Sequence, residues 1–453
     1  MSNNSSYFLC TVIVLAILLS VLAGVTLLAP FTLSLAISLT FLYKQGFDLN
    51  SLLKMTWTGI WECRDLYIFI LLIGANIAVW MASGVVPVLM FYGFELLKGL
   101  NFLLAAFLIT ALMSVFMGSA VGTISSLGIA LLGIGQGFGI PAPVLLGTLV
   151  SGAYIADKIS PISGLVNLTI KVTGSSYRPL LKRMAVTLVP VTLISSLLYL
   201  GLGQYYAGGE DFALVQQLQD SLTQGFRLSP WLALLPLGIV LLPLTGAKTI
   251  TSIFLGMLSG ALLTVFYQGH SPTAALAIIL RGFQGATPSA ELNALLVSGG
   301  VVGMLEVLLI VIAVIALSSL LERSGLLRPL IYQPLIRARS KGALLIRTGL
   351  IGSLLTIVTC DQATGIVLPA RMAKEKYREM GLPETELART ISDTSTIIAP
   401  LLPWNVNAII ITLLTGIPAW QYGPYAFLCF LFPLAAGLAA ASHGFTQPIK
   451  QSA

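Results

Sequence analysis

GAYIADKISPISGLVNLT (152–169) and LARTISDTSTIIAPLLPWNVNA (387–408) decide how this chain folds. Each places Asp, Ser, Thr, Asn and Pro inside a stretch otherwise apolar enough to lie within a bilayer. A carboxylate at bilayer depth costs about 2.5–3.5 kcal/mol even on insertion-based scales, so such clusters line a solute path, hold an ion or, in the plainer reading, pack helices together. The prolines within them mark helix breaks, and backbone broken at membrane depth needs protein or a cavity around it.

The rest of the chain supports a membrane setting. With 57% hydrophobic and only 9% charged residues, and a mean hydropathy of +0.94, apolar residues run in blocks of about 20, the length that crosses a bilayer as a helix. The blocks are continuous rather than alternating, which favours a helical bundle over a closed barrel. The expected fold is an all-α polytopic membrane protein of about 10–12 transmembrane helices in two inverted repeats, with discontinuous or re-entrant helices. The block from Tyr7 to Tyr43 has no Lys or Arg before it and is too long for a signal-peptide core, so it is expected to remain as two helices of the mature chain.

The net charge of +7 does not mark a nucleic-acid binder, because Lys and Arg sit in short loops between apolar blocks. Cys10, Cys63, Cys360 and Cys429 have no metal-ligand or disulfide spacing. Two histidines, His270 and His443, leave little for His-based metal sites or hydrolase triads. Glu62, Cys63 and Asp65 read as a solvated amphipathic loop.

A faint internal repeat underlies the two segments. Ser83-Gly84 falls on Ser324-Gly325, and Gly118–Thr123 on Thr359–Thr364, at a common offset of 241; Ser163-Gly164 falls on Ser392-Asp393 at a shorter one. The connection from Glu322 to Lys341 holds Arg323, Arg328, Arg337, Arg339 and Lys341, whereas its counterpart from Val85 to Lys98 holds only Lys98. Arg371, Lys374, Lys376 and Arg378 likewise face an uncharged counterpart at Gly137 to Pro141, as inverted topology predicts. Lys171, Arg178, Lys182 and Arg183 mark another cytoplasmic loop, and following these signs outward puts both termini inside.

Proline inside a helix frees the carbonyl four residues earlier: that of Asp157 for Pro161, of Thr396 for Pro400 and of Ala399 for Pro403. Freed carbonyls beside carboxylates suit sodium, and Ser160, Ser163, Thr394, Ser395, Asn167 and Asn405 add hard oxygen ligands. Asp157 has Lys158 beside it for a local ion pair, Asp361 opens the DQATG break where it suits a helix cap, and Asp393 lies four residues after Arg389 on one helical face. Glu306, within VVGMLEVLLIVIAV, reads as the most deeply placed acid; burial favours its protonated form, making it the candidate proton carrier or a helix-packing acid. Asn76, Tyr154 and Trp404 read as packing residues.

Three separated stretches, LLIGANIAVWMASGVVPVLMFYG (71–93), FGIPAPVLLGTLVSGAYIADKISPISGLVNL (138–168) and LPARMAKEKYREMGLPETELARTISDTSTIIAPLLPWN (368–405), resemble the NhaC family of bacterial sodium/proton antiporters. The resemblance runs from about Leu66 to about Pro418 and implies a bacterial inner-membrane secondary transporter with sodium coupling. The family pattern after SPxS reads Asp-Thr-Thr-Asn, where this chain has Gly164-Leu165-Val166-Asn167. One expected acid is missing, and its role transfers to Asp393 in the second half. Relatives resembling the family include exchangers of malate and lactate, for which a lost carboxylate leaves space.

The sequence is thus expected to divide into N-terminal helices (1–56), a first repeat (57–170), connecting helices (171–289), a second repeat (290–418) and a C-terminal helix and tail (419–453). The expected function is Na+/H+ antiport by alternating access, with sodium on Asp361 and Asp393, helped by Thr364, Thr394, Ser395 and Asn405 and joined by Asp157 from the first repeat. Sodium and protons then compete for the same charge. The alternative is sodium-coupled exchange of an organic anion or amino acid. A channel lacks a filter motif, and an intramembrane enzyme lacks a catalytic signature. No cofactor is expected beyond sodium and protons as moving ions; partners are lipid and a small solute rather than nucleic acid, with a homodimer left open.

Overall fold

The computed structural model describes residues 3–207 and 212–442. Among them the chain is helical, with one isolated antiparallel bridge between Gln284 and Val297. Eight helices are long and apolar enough to cross a membrane, or up to ten if the bent pairs Ala213–Gly225 with Pro230–Thr245 and Ala419–Tyr425 with Phe427–Ser442 each count as one span. The N-terminal block forms two helices, Asn3–Leu22 and Leu28–Lys44.

The spans differ in burial. The most apolar 18-residue stretches of Ala120–Gly137 and Ala142–Thr173, two spans that carry breaks, are 89% and 83% buried inside the protein, whereas those of Tyr177–Tyr206 and Thr249–Phe266 are 22% and 28% buried. The breaks in these two spans are thus enclosed by protein, as interrupted backbone at membrane depth requires.

The breaks recur at a fixed spacing. Helix Phe102–Met117 ends at left-handed Gly118 and the next begins after Ser119; helix Lys341–Thr359 ends at left-handed Cys360 and the next begins after Asp361. Pro141 and Pro383 precede the following helices, Ala142–Ala153 and Glu384–Ile391. Ser163 and Asn405 then cap Gly164–Thr173 and Val406–Thr415. Each pair is 242 positions apart, one more than the sequence comparison suggested. Ser163 therefore corresponds to Asn405, not to Ser392. Ser83-Gly84 and Ser324-Gly325, at the ends of Arg64–Ala82 and Leu305–Arg323, keep the offset of 241.

Two expectations about acids are corrected. Glu62 is not in a loop: it ends helix Leu49–Glu62, which meets Arg64–Ala82 at Cys63, and it accepts a hydrogen bond from Arg323 at 2.6 Å. Glu306 is exposed in the first turn of Leu305–Arg323, just past Met304. An all-apolar helix gives no sequence signal of which face is outside, and this acid lies on the outer one.

Candidate functional site

Four helix breaks meet at one cavity of about 370 Å³. Its wall includes Ser119 and Ala120 from one break, Ile162 and Gly164 from the next, Asp361 and Gln362 from the third, and Val406 and Asn407 from the fourth. At each break the N-cap side chain accepts a hydrogen bond from the new helix: Ser119 from Gly122 (3.1 Å), Ser163 from Val166 (3.5 Å), Asp361 from Thr364 (3.0 Å) and Asn405 from Asn407 (3.0 Å). All four helices thus begin at the cavity. A helix N-terminus carries roughly half a positive charge, so the cavity wall favours negative charge.

Two carboxylates, one from each half, line it. Asp157, nine-tenths buried, accepts from the Ser163 hydroxyl at 3.1 Å. Asp361 uses one oxygen, Oδ2, to accept from the Thr364 amide and hydroxyl at 3.0 and 3.2 Å, and the Thr364 hydroxyl lies 3.3 Å from that of Ser318. Neither acid forms an ion pair among the described residues. Asp361 also borders a second cavity of about 220 Å³, shared with Glu62, Glu322, Ser318 and Thr364.

Asp393 is elsewhere. It lies in a π-helical turn, Ser392–Thr396, fully buried. Its Oδ1 accepts from Lys158 Nζ at 2.5 Å; its Oδ2 accepts from Arg389 at 3.1 Å and from Thr187 at 2.9 Å. Arg389 also donates to Glu386, which accepts from Arg183 as well. The Arg389–Asp393 pair of the sequence reading is present, but Lys158 does not pair with its neighbour Asp157. Of the acids expected to bind sodium, Asp361 and Asp157 line the cavity, whereas two cations and a hydroxyl surround the Asp393 carboxylate.

The remaining oxygens are dispersed. Ser160 donates to the Val115 carbonyl (2.6 Å), Thr394 back to Thr390 (2.7 Å), and exposed Asn167 to the carbonyls of Pro161 and Ser163. Ser395 is buried against Gly352 with its hydroxyl unpartnered. The Thr396 carbonyl that Pro400 frees is taken by Gln362 Nε2 at 2.6 Å, and that of Ala399 by the Leu402 amide at 3.2 Å. Pro161 lies beyond the Ser160 cap of its helix. Gln362 in turn accepts from Asn407 at 2.6 Å, tying two of the breaks together. Sequence reasoning missed Ser119, Gln362, Asn407 and Thr187; only the register of the breaks would have pointed to Ser119, as the partner of Asp361.

Another cavity, of about 390 Å³, lies at the far ends of two of the same helices, lined by Ile129, Gly133 and Gln136 of Ala120–Gly137 and by Leu413, Leu414 and Thr415 of Val406–Thr415. Between the two cavities stand Ile124–Gly128, a π-helical turn, and the three-residue step from Ile410 to Leu413. That step is about 5 Å of helix rise, and the step from Val121 to Ile129 along Ala120–Gly137 about 12 Å, both less than the thickness of a bilayer.

A multi-span bundle with interrupted interior helices, and cavities on either side of a thin barrier, is the build of a membrane transporter. Residues 165–441 match the Na+/H+ antiporter family. The chain is 30% identical to the malate-2H(+)/Na(+)-lactate antiporter of Bacillus subtilis over 96% of its own length and 94% of that protein's. It is 31% identical to the Na(+)/H(+) antiporter NhaC of Alkalihalophilus pseudofirmus, over 81% and 79% of the two chains. To the arginine/ornithine antiporter ArcD of Halobacterium salinarum it is 34% identical over 81% and 76%. The chain belongs to the Na+/H+ antiporter family.

Proposed function

We propose that this protein is a sodium-coupled secondary transporter working by alternating access, and in the first instance a Na+/H+ antiporter. The observation that carries this reading is the pair of carboxylates, Asp157 and Asp361, on one cavity where four broken helices begin. Sodium binds there through the two acids with help from the Thr364 and Ser163 hydroxyls, and a proton on the same acids displaces it. The thin barrier between the two cavities is where access alternates, and the breaks in register support two halves related by inverted topology. The protein lies in a bacterial cytoplasmic membrane with both termini on the cytoplasmic side, as the loop charges indicate.

A specific observation favours a second cargo. A cavity of about 370 Å³ is far larger than one sodium ion needs, and four helix N-termini facing it suit an organic carboxylate. The named organic cargoes of two relatives, malate with lactate and arginine with ornithine, are small solutes that each carry a carboxylate.

The test is reconstitution into liposomes holding a pH-sensitive dye, with sodium, lithium or potassium added outside. Wild type gives a sodium-driven pH change that Asp361→Asn lacks. Silence from well-folded wild type, with sodium-dependent uptake of a labelled dicarboxylate or amino acid, selects the organic cargo. Silence in both assays overturns the reading.

A further inference from the structure

The cluster around Asp393 is not used by the exchange described above, yet it holds the most deeply buried charges among the described residues. The side chains of Lys158 and Asp393 are both fully buried, and Arg389 is 1% exposed. Taking such charges out of water costs several kcal/mol each, so they are kept only where they compensate one another closely. Two acids, Asp393 and Glu386, are bound by three cations, Lys158, Arg389 and Arg183, whereas Asp157, next to Lys158 on the one-turn helix Ala156–Ile159, lines the cavity and takes no part in these pairs. Remove the Lys158 ammonium and Asp393 Oδ1 loses the cation it accepts from, while Arg389 and Thr187 stay on Oδ2.

The ammonium is a compact point charge on a flexible stem, close in character to a free monovalent cation. Its Nζ rests 2.5 Å from Asp393 Oδ1 and 4.0 Å above the Phe432 ring of Phe427–Ser442. Cation–π contact with the ring face completes a seat for positive charge. We propose that Lys158 is a tethered cation: it fills the Asp393 carboxylate that would otherwise take a free alkali cation, and so confines the exchanged cation to the Asp157–Asp361 cavity. This rests on the reading of the protein as a cation-coupled carrier, and Lys158 then sets how many cations move per cycle.

The test uses the purified full chain in detergent as well as in liposomes, so that it survives a failure of the transport reading. Thermal unfolding is followed in sodium chloride and in choline chloride at equal ionic strength. Lys158→Ala gains a sodium-specific rise in Tm several degrees larger than that of wild type, and the double variant Lys158→Ala/Asp393→Asn loses that gain. In liposomes Lys158→Ala raises the Hill coefficient for sodium above the wild-type value. An unchanged sodium response in Lys158→Ala, or a gain that persists in the double variant, overturns the proposal. Should Lys158→Ala fail to fold, Asp393→Asn alone decides: an unchanged KM for sodium is expected, whatever happens to the rate. A rise of about tenfold, equivalent to ~1.4 kcal/mol of cation binding, would place the moving cation on Asp393 and sink the idea.

Discussion

Asp157 and Lys158 are consecutive residues whose side chains serve different places: Asp157 lines the central cavity beside Ser163, and Lys158 reaches Asp393 in the other half of the chain. Four residues of helix, Ala156–Ile159, divide an open site from a closed one. On the proposed reading, cation movement and structural charge compensation are kept on separate carboxylates, and the two can be perturbed separately.

The closed side governs stability. Arg389→Met leaves Glu386 and Asp393 each short of a buried partner, a loss of the kind that costs about 3–5 kcal/mol. The Glu62–Arg323 pair has side chains 59% and 37% exposed, where pairs are worth below about 1 kcal/mol. Thermal unfolding in detergent should therefore fall steeply for Arg389→Met and barely for Glu62→Gln. Equal shifts would contradict the assignment.

Much of this was legible beforehand. Pro161, Pro400 and the polar DQATG segment announced broken helices, the Asp361 cap followed from residue type, and the Arg389–Asp393 contact followed from a four-residue helical spacing. What the sequence withheld is long-range. Lys158 meets Asp393 across 235 positions, and no local pattern distinguishes that from a pairing with Asp157. The true register of the halves was hidden because equivalent positions, such as Ser119 with Asp361 or Ser163 with Asn405, share a capping role rather than an identity. Glu306 misled because an apolar helix looks the same whether its acid faces lipid or protein.

Helix crossing in the second half rests on small residues. A Cβ added at Gly352 would lie 1.9 Å from the Ser395 hydroxyl oxygen and 3.3 Å from the Gly365 carbonyl oxygen. Gly352→Ala is expected to cost about 1–3 kcal/mol, the usual range for overpacking. Since the Ser395 hydroxyl is buried without a partner, Ser395→Ala alone should be neutral or stabilising, and Gly352→Ala/Ser395→Ala should recover part of the loss. A thermal-melt cycle of the four proteins measures this, and strict additivity would argue against the contact.

Asp361 does two jobs that substitution can separate. Asparagine is as good an N-cap as aspartate, whereas alanine forfeits about 1 kcal/mol of cap energy. Asp361→Asn should keep the wild-type Tm while sodium-driven exchange falls at least about tenfold, the effect of losing ~1.4 kcal/mol or more of cation binding. Asp361→Ala should lose both. Exchange by Asp361→Asn at the wild-type rate would remove this residue from the cation site.

Gly164 lets the charge of the cavity be altered without disturbing its walls. It is the first residue of Gly164–Thr173, it lines the cavity, and a Cβ added there would meet nothing within 4 Å. An aspartate therefore fits, and at the first turn of a helix its negative charge is favoured by the dipole. Gly164→Asp also adds a third carboxylate to a cavity that now has two. Sodium should bind more tightly, read as a lower KM for sodium in the dye assay, because each added carboxylate strengthens a hard-cation site. An organic anion entering the same space would meet another negative charge and lose transport. The direction of the two changes separates the cargoes: a protein that gains sodium affinity and keeps exchanging protons works as a cation antiporter, whereas one whose uptake of a labelled dicarboxylate collapses uses the four helix N-termini for a carboxylate. A Gly164→Asp variant that folds normally and alters neither measurement would show that this cavity is not where the cargo binds.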